Sequence, residues 1–404
     1  MTETVVIAGA GHAAGQVVAT LKQKKFAGRI VLVGDEPHLP YQRPPLSKKF
    51  LAGEMPAERL YFKPASFYAD PQCEVHLSSR IDSIDRAAHR LITADGKEIA
   101  YTKLILALGS RARRVSVAGC ELDGVHYLRN IDDVNHIRAG ISGGRRLVIV
   151  GAGYIGLEVA AVCHQLGLDV TVIEMADRVM SRVVSPRVSD FYQAQHTGRG
   201  VKLLLSTGLG AFHGDGRVDS VITRDGQEIP ADLCVVGVGI VPNTELAEAA
   251  GLEVDDGIVV DDRCRTMDPD IYAIGDCTSH PNSIYGRQLR LESVHNALEQ
   301  AKTAASNICG SDTHYSQVPW FWSDQFDLKL QIAGLSQGYD QTVLRGDPDS
   351  SCFACLYLKA GSLIAVDAIN SPRDFMQSKA LIASHAVIAP DRLADVAVAL
   401  KDLA

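Results

Sequence analysis

Residues 147–156 read Leu147-Val148-Ile149-Val150-Gly151-Ala152-Gly153-Tyr154-Ile155-Gly156, and residues 5–15 read Val5-Val6-Ile7-Ala8-Gly9-Ala10-Gly11-His12-Ala13-Ala14-Gly15. Each couples a short apolar run, the pattern of a buried parallel strand, to a Gly-x-Gly turn and then to a segment of helical periodicity. In such a turn the first glycine allows the tight bend and the second lets backbone approach a pyrophosphate. The helix that follows offers its free N–H groups to the anion. One such loop holds one dinucleotide. Two in one chain imply two nucleotides held together, a resident redox cofactor and its electron source.

The 404 residues exceed one ordinary core, so two or three domains are expected. Apolar content of 46% and charged content of 22% are those of a water-soluble globular chain. No apolar run is long enough to span a bilayer without interruption. The first strand begins within a few residues of Met1, which argues against a signal peptide. Nine scattered cysteines do not read as a disulfide framework, and a reducing cytoplasm fits them better. The net charge of −8 argues against bulk nucleic-acid binding.

Along the chain, the strand–helix–strand pattern of residues 1 to about 112 returns around the second fingerprint, from about 113 to 240. A strand-turn follows at Ile271-Tyr272-Ala273-Ile274-Gly275-Asp276, then a helical run from Ser293 to Ile308. The tail differs. Strand-like runs at Thr342–Arg345, Cys352–Leu358 and Leu363–Val366 are separated by Gly and Asp turns, and helical segments near Asp374–Ser384 and Pro390–Lys401 close it.

At the first loop, Gly9 and Gly11 fill the first two positions and Ala14 the third, and the next strand ends at Gly34-Asp35-Glu36, where Asp35 or Glu36 can accept ribose hydroxyls. At the second, Gly151, Gly153 and Gly156 complete the pattern with Tyr154 and Ile155 between them, and the next strand ends at Glu174. A 2′-phosphate beside Glu174 would place like charges about 4 Å apart. At an effective dielectric near 20 they repel by about 4 kcal/mol, nearly three decades in affinity. The expectation is NADH over NADPH, with Arg178 and Arg182 just beyond as the groups that would soften it.

Further motifs are Pro40-Tyr41-Gln42-Arg43-Pro44-Pro45-Leu46-Ser47-Lys48, Leu104-Ile105-Leu106-Ala107-Leu108-Gly109-Ser110, Tyr154-Ile155-Gly156-Leu157-Glu158, Ile274-Gly275-Asp276-Cys277 and Pro319-Trp320-Phe321-Trp322-Ser323-Asp324. With these the chain resembles, over almost its whole length, the FAD- and NADH-dependent ferredoxin reductases of bacterial cytochrome P450 and aromatic-oxygenase systems, the putidaredoxin reductase type. The resemblance implies an α/β fold of two Rossmann-like, glutathione-reductase-like three-layer domains plus a C-terminal α+β domain. Residues 1–112 and 241–320 would bind FAD, 113–240 NADH, and 321–404 would form the third domain.

It also implies roles. The first loop, with Ala107, Gly109, Arg43, Lys48, Arg129 and Asp276, would hold FAD, with Lys48 near the flavin's reactive edge and Asp276 on the ribityl chain. Glu158 would sit near the nicotinamide and pair with Lys48. Val238-Gly239-Ile240 would close over NADH, Arg182 would also bind it, and Trp322 would stand at the flavin edge. Lys48, Glu158 and Trp322 are thus the candidate catalytic residues.

The stretch Pro37–Met55 holds no cysteine, so a thiol relay like that of the related disulfide reductases has no thiolate there. Cys352 and Cys355 are three apart in a strand-like run and should face opposite ways. No metal site or ATP-binding sequence is found. The expected route is hydride from NADH to FAD, then single electrons to an acidic [2Fe–2S] ferredoxin. Attraction between two acidic proteins needs a local basic face, for which Arg290, Lys302, Lys329, Arg373 and Lys379 are the candidates. Rubredoxin reduction, NADH oxidation by oxygen and a non-enzymatic NADH-sensing role stay open. A monomer is expected.

Overall fold

The computed structural model describes residues 3–403. The chain divides into two compact units: residues 1–43, 57–111 and 241–319 form one, and 44–56, 112–240 and 320–404 the other. The Pro44–Pro56 excursion thus groups with the second.

In the first unit, Val5, Val6, Ile7 and Ala8 are wholly buried, as a strand covered on both faces requires. Their strand, Thr4–Ala8, is central in a five-stranded sheet ordered Ile271–Ala273, Lys103–Leu106, Thr4–Ala8, Arg29–Val33, Cys73–His76. Every pairing in it is parallel. In the second unit, Arg146–Val150 takes the same place in a five-stranded parallel sheet ordered Lys202–Leu204, Asp169–Ile173, Arg146–Val150, Leu233–Val236, Val125–Tyr127. Each unit adds a three-stranded antiparallel sheet, beginning at Ile81 in the first and Leu209 in the second. The internal repeat is therefore real. It differs in one strand: the fifth member comes from after the repeat in the first sheet and from before it in the second.

The tail forms a five-stranded antiparallel sheet ordered Trp320–Gln325, Leu328–Gly334, Ser362–Ile369, Cys352–Lys359, Gln341–Asp347, with helix Pro372–Ala383 beside it. The two leading strands escape a sequence reading. They are joined by Phe326-Asp327, and Phe326 takes φ +57° with neither Gly nor Asn at that position to signal the turn. The last helix also stops earlier than periodicity predicts, at Ala394 rather than Lys401. The cause is Arg345, a buried guanidinium paired with Asp374 at 3.0 Å, which donates to the carbonyls of Leu393, Asp395 and Val398 and so takes acceptors that a longer helix would use. Cys352 is exposed and Cys355 buried, on opposite faces as strand geometry dictates. Among the described residues no helix is long and apolar enough to cross a membrane.

One buried acid titrates in an unusual place. Asp367, on the central tail strand, accepts the Tyr357 hydroxyl, and that oxygen in turn accepts the Ser185 N–H at 2.9 Å. Burial pushes the Asp367 carboxyl up to about 7, with the tyrosine hydrogen bond acting the other way. Raised in the fold, it contributes stability that is whole below about pH 4 and is lost as pH climbs through about 7. Asp367→Asn removes this dependence. Melts from pH 5 to 8 should show the wild type losing more stability with rising pH than the variant, by about 1–3 kcal/mol; parallel curves would refute the assignment.

Candidate functional site

The two glycine-rich loops share one geometry. Gly9 takes φ +109°, and a Cβ there would lie 2.3 Å from the Ala107 carbonyl oxygen. Gly151 takes φ +104°, and its Cβ would lie 2.5 Å from the Gly237 carbonyl oxygen. Gly11 and Gly153 stand at the N-caps of helices His12–Gln23 and Tyr154–Gln165, neither of which has a side-chain cap or an acid in its first turn. A Cβ on Gly11 or Gly153 would meet nothing within 4 Å. Each helix therefore presents uncapped N–H groups and its positive dipole end to open space, the environment a pyrophosphate needs. Both loops fit a dinucleotide.

They diverge at the acid. After strand Arg29–Val33 the next residue is Gly34, whose Cβ would meet that of Ala10 at 2.5 Å, so the acids fall one and two places later, at Asp35 and Glu36. After strand Asp169–Ile173 the next residue is Glu174 itself. Its carboxylate accepts from Ala152 N–H at 2.6 Å and Ala176 N–H at 2.9 Å. The third fingerprint position differs too: Gly156 cannot carry a Cβ, which would lie 2.1 Å from the Gly151 oxygen, whereas buried Ala14 does carry one.

In the first unit, Glu36 accepts the Tyr41 hydroxyl at 2.5 Å and the Arg43 guanidinium at 2.6 Å. Burial works to raise the Glu36 carboxyl, but Arg43 and Tyr41 outweigh it and hold the group below the usual carboxylate range. Of the two acids, Asp35 is the exposed one. Asp276 accepts the Ser110 hydroxyl at 2.8 Å, and the neighbouring Gly275 N–H is held by the buried Gln300 amide at 2.7 Å. Asn243 ties down the loop after Ala107, donating its backbone N–H to the Gly109 carbonyl at 3.0 Å and its side-chain amide N–H to the Leu108 carbonyl at 2.9 Å. Gly9, Gly11, Ala14, Asp35, Glu36, Arg43, Ala107, Gly109 and Asp276 thus share one unit. Lys48, Arg129 and Trp322, expected at the same cofactor, belong to the other. Ser110 lies within the Leu104–Ser110 motif with no sequence sign of its role, and Asn243 and Gln300 carry no local signal.

In the second unit, Lys48 and Glu158 meet as the resemblance implies, at 2.6 Å, with Glu158 only 1% exposed. The same carboxylate accepts the Ser47 hydroxyl at 2.5 Å and the Ser323 hydroxyl at 2.7 Å. Strand Trp320–Gln325 alternates its faces: Ser323 and Gln325 are buried, and Phe321 on that face lies 4.8 Å from the Tyr154 ring. Trp322 is on the opposite face, 5.6 Å from Trp320. Ile155, at the start of the second loop's helix, is an exposed apolar side chain. Arg178, which could have softened the charge at Glu174, donates instead to the Ser181 and Val184 carbonyls at 2.7 and 2.9 Å. Arg182 lies beside Gly239, 3.9 Å from where a Cβ there would stand. Val238 packs against the second unit's core, and Arg129 precedes the capped helix Ile131–Gly143.

The candidate docking cations are unequal. Arg290 pairs with Asp256 and Glu292, and Lys302 with Glu299. Lys379 covers the Phe375 and Trp320 rings at 4.2 and 4.7 Å. Lys329 and Arg373 make no ion pair among the described residues.

Residues 3–301 match the family described as pyridine nucleotide-disulphide oxidoreductase, and residues 320–404 the family described as reductase C-terminal. A ferredoxin–NAD(P)+ reductase of a Sphingomonas species is 44% identical over 396 residues, covering 96% of each chain. The crystal structure of the ferredoxin reductase for the CYP199A2 system of Rhodopseudomonas palustris superposes with a TM-score of 0.96 at 42% identity, covering 100% of both chains. The reductase of a covalent putidaredoxin reductase–putidaredoxin complex gives a TM-score of 0.96 at 40% identity, covering 99% of this chain and 98% of that one.

The loop geometry separates two kinds of glycine. Gly153→Ala should keep the wild-type melting temperature but weaken binding of a nicotinamide dinucleotide at least about tenfold, since the new methyl meets only the space a ligand would fill. Gly151→Ala should lose about 2 kcal/mol or more of stability without any ligand, from a clashing Cβ and an unfavourable φ. Thermal melts and calorimetric titration check both.

Proposed function

We propose, for a chain that belongs to the pyridine nucleotide-disulphide oxidoreductase family and ends in a reductase C-terminal domain, that it takes a hydride from NADH onto FAD and passes single electrons to a [2Fe–2S] ferredoxin serving a cytochrome P450 or oxygenase. Its class is that of a flavoprotein oxidoreductase of the ferredoxin–NAD(P)+ reductase type. The observation that carries the reading is the pair of uncapped, glycine-opened helices, one in each unit, in a chain whose Pro37–Met55 stretch lacks cysteine. Two dinucleotides can be held, and no thiol stands at the position where the disulfide reductases carry theirs.

FAD, when bound, supplies a two-electron acceptor that can release electrons one at a time. This chain's residues bind, orient and set charge. The helix N-terminus at Gly11 takes the flavin nucleotide's pyrophosphate, with Asp35 and Glu36 at the ribose and Asp276 and Arg43 further along. The N-terminus at Gly153 takes that of NADH, with Glu174 at the ribose and Val238, Gly239 and Arg182 beside it. Lys48, Arg129 and Trp322 are assigned to the flavin, and Glu158 to the nicotinamide end, by resemblance to the family. Lys48 would offset the negative charge that reduction brings, and Glu158 keeps that lysine in place. Docking of an acidic ferredoxin falls to the basic side chains, of which Lys329 and Arg373 have their charge least engaged.

Anaerobic mixing of the yellow holoenzyme with NADH should bleach the flavin faster than turnover, and reduction of cytochrome c should require an added ferredoxin. Peroxide released in step with NADH, without any protein acceptor, would favour an oxidase, and slow bleaching followed by a long-lived charge-transfer complex would favour a sensor. Added salt should slow ferredoxin reduction steeply while leaving a small neutral acceptor unaffected.

Cofactor choice is checked separately. NADH should exceed NADPH in kcat/KM by about 100-fold or more, and Glu174→Ser should cut that ratio at least about tenfold. Equal efficiency with both cofactors in the wild type would overturn the preference.

A further inference from the structure

Strand Trp320–Gln325 buries a serine and a glutamine two residues apart on one face, where apolar side chains would ordinarily pack. Both belong to a continuous line of hydrogen bonds. His196, wholly buried on helix Pro186–Gly198, has its Nε2 2.9 Å from the Gln325 Oε1. Gln325 Nε2 lies 3.2 Å from the Ser323 hydroxyl, and Ser323 Oγ lies 2.7 Å from Glu158 Oε1.

The direction of the line is fixed by what each group can donate. Nδ1 of His196 is buried with no hydrogen-bond partner among the described residues, so a proton there would go unsatisfied; the ring proton therefore sits on Nε2, facing the accepting oxygen of the Gln325 amide. Burial pushes that imidazole down to about 4, so it is neutral near pH 7 and keeps the single proton there. The amide then turns its N–H to Ser323, whose one hydroxyl proton is left for Glu158. Ser47 and Lys48 donate to the other carboxylate oxygen. Every donor therefore points at Glu158, and a protonated Glu158 would find no acceptor unless a serine turned round.

From this we infer that Ser323, Gln325 and His196 are positioning residues that keep Glu158 ionised and aimed at Lys48. The inference rests on the proposed role of Glu158 at the nicotinamide end. The titratable and charged groups around the line are Lys48 on the Pro44–Pro56 segment, Tyr192 on the same helix as His196, Asp324 on the strand itself, Asp367 on strand Ser362–Ile369, and His164 and Arg199 near His196.

Three holoenzyme variants test it. Ser323→Ala deletes the donor, and Ser323→Thr restores a hydroxyl. Gln325→Glu is nearly isosteric but accepts where the amide donated, so the Ser323 proton turns away from Glu158. Infrared difference spectra of resting enzyme, titrated from pH 5 to 9, follow the protonated carboxyl band of Glu158, identified by its loss in Glu158→Gln. In Ser323→Ala and Gln325→Glu that band should persist about one pH unit higher than in wild type, and the low-pH fall in the rate of flavin reduction by NADH should move by the same amount. Ser323→Thr should follow wild type. Bands and profiles that coincide with wild type in both Ser323→Ala and Gln325→Glu overturn the inference. If Ser323→Ala fails to fold, Gln325→Glu decides alone. If Glu158→Gln reduces its flavin at the wild-type rate and profile, the nicotinamide role of Glu158 fails, while the infrared titration still reports on the hydrogen-bond line.

Discussion

Two peptide carbonyls, those of Ala107 and Gly237, set what the glycine-rich loops can be. Each belongs to a chain leaving a parallel strand next to the fingerprint strand, and each lies under the Cα of that loop's first glycine. Parallel pairing in register brings the two backbones together at the strand ends, and no side chain fits between them. Gly9 and Gly151 are therefore fixed by the sheet itself. Gly11 and Gly153 answer to something else, because nothing in the protein crowds them. The turn is forced by packing, and the space above it is left for an anion.

The same unit, used twice, was readable because its signals are local: an apolar run, a glycine turn, a helix and an acid at the next strand end. Ser293, read as the start of a helix, accepts the Asn296 N–H as its N-cap. What was not readable depends on partners distant in sequence. The strands at Trp320–Gln325 and Leu328–Gly334 were hidden by a turn built on Phe326, whose strained φ is held where the Arg199 guanidinium and the His196 ring pack against it. The end of the last helix is set by Arg345, roughly fifty residues away. Basic side chains could be counted but not sorted, since only the fold reveals that Arg290 sits between two acids while Lys329 does not. At the candidate site, Lys48 and Glu158 are named by resemblance alone; Ser47 and Ser323 lie in the Pro40–Lys48 and Pro319–Asp324 motifs with nothing local to mark their bonds to Glu158, and Gln325 and His196 carry no sign.

Two buried carboxyls in the second unit show two ways of handling one problem. Taking a carboxylate out of water costs several kcal/mol unless charge and hydrogen bonds replace its hydration. Glu158 has a lysine and two hydroxyls, all within hydrogen-bonding distance, so its charge is matched where it is buried. Asp367 has a tyrosine hydroxyl and, among the described residues, no cation within ion-pair distance, and burial dominates. One acid is met by a cation and two hydroxyls, while the other changes state close to neutrality.

The origin of the fifth strand has a consequence for how the chain folds as it is made. Synthesis runs from the N-terminus, and a sheet cannot close until its last member has left the ribosome. The second parallel sheet contains nothing beyond Val236, whereas the first, although its fingerprint is made earliest, must wait for Ile271–Ala273. The later-encoded nucleotide fold is thus the earlier one to be complete, and the nascent first sheet spends the intervening time with one edge uncovered.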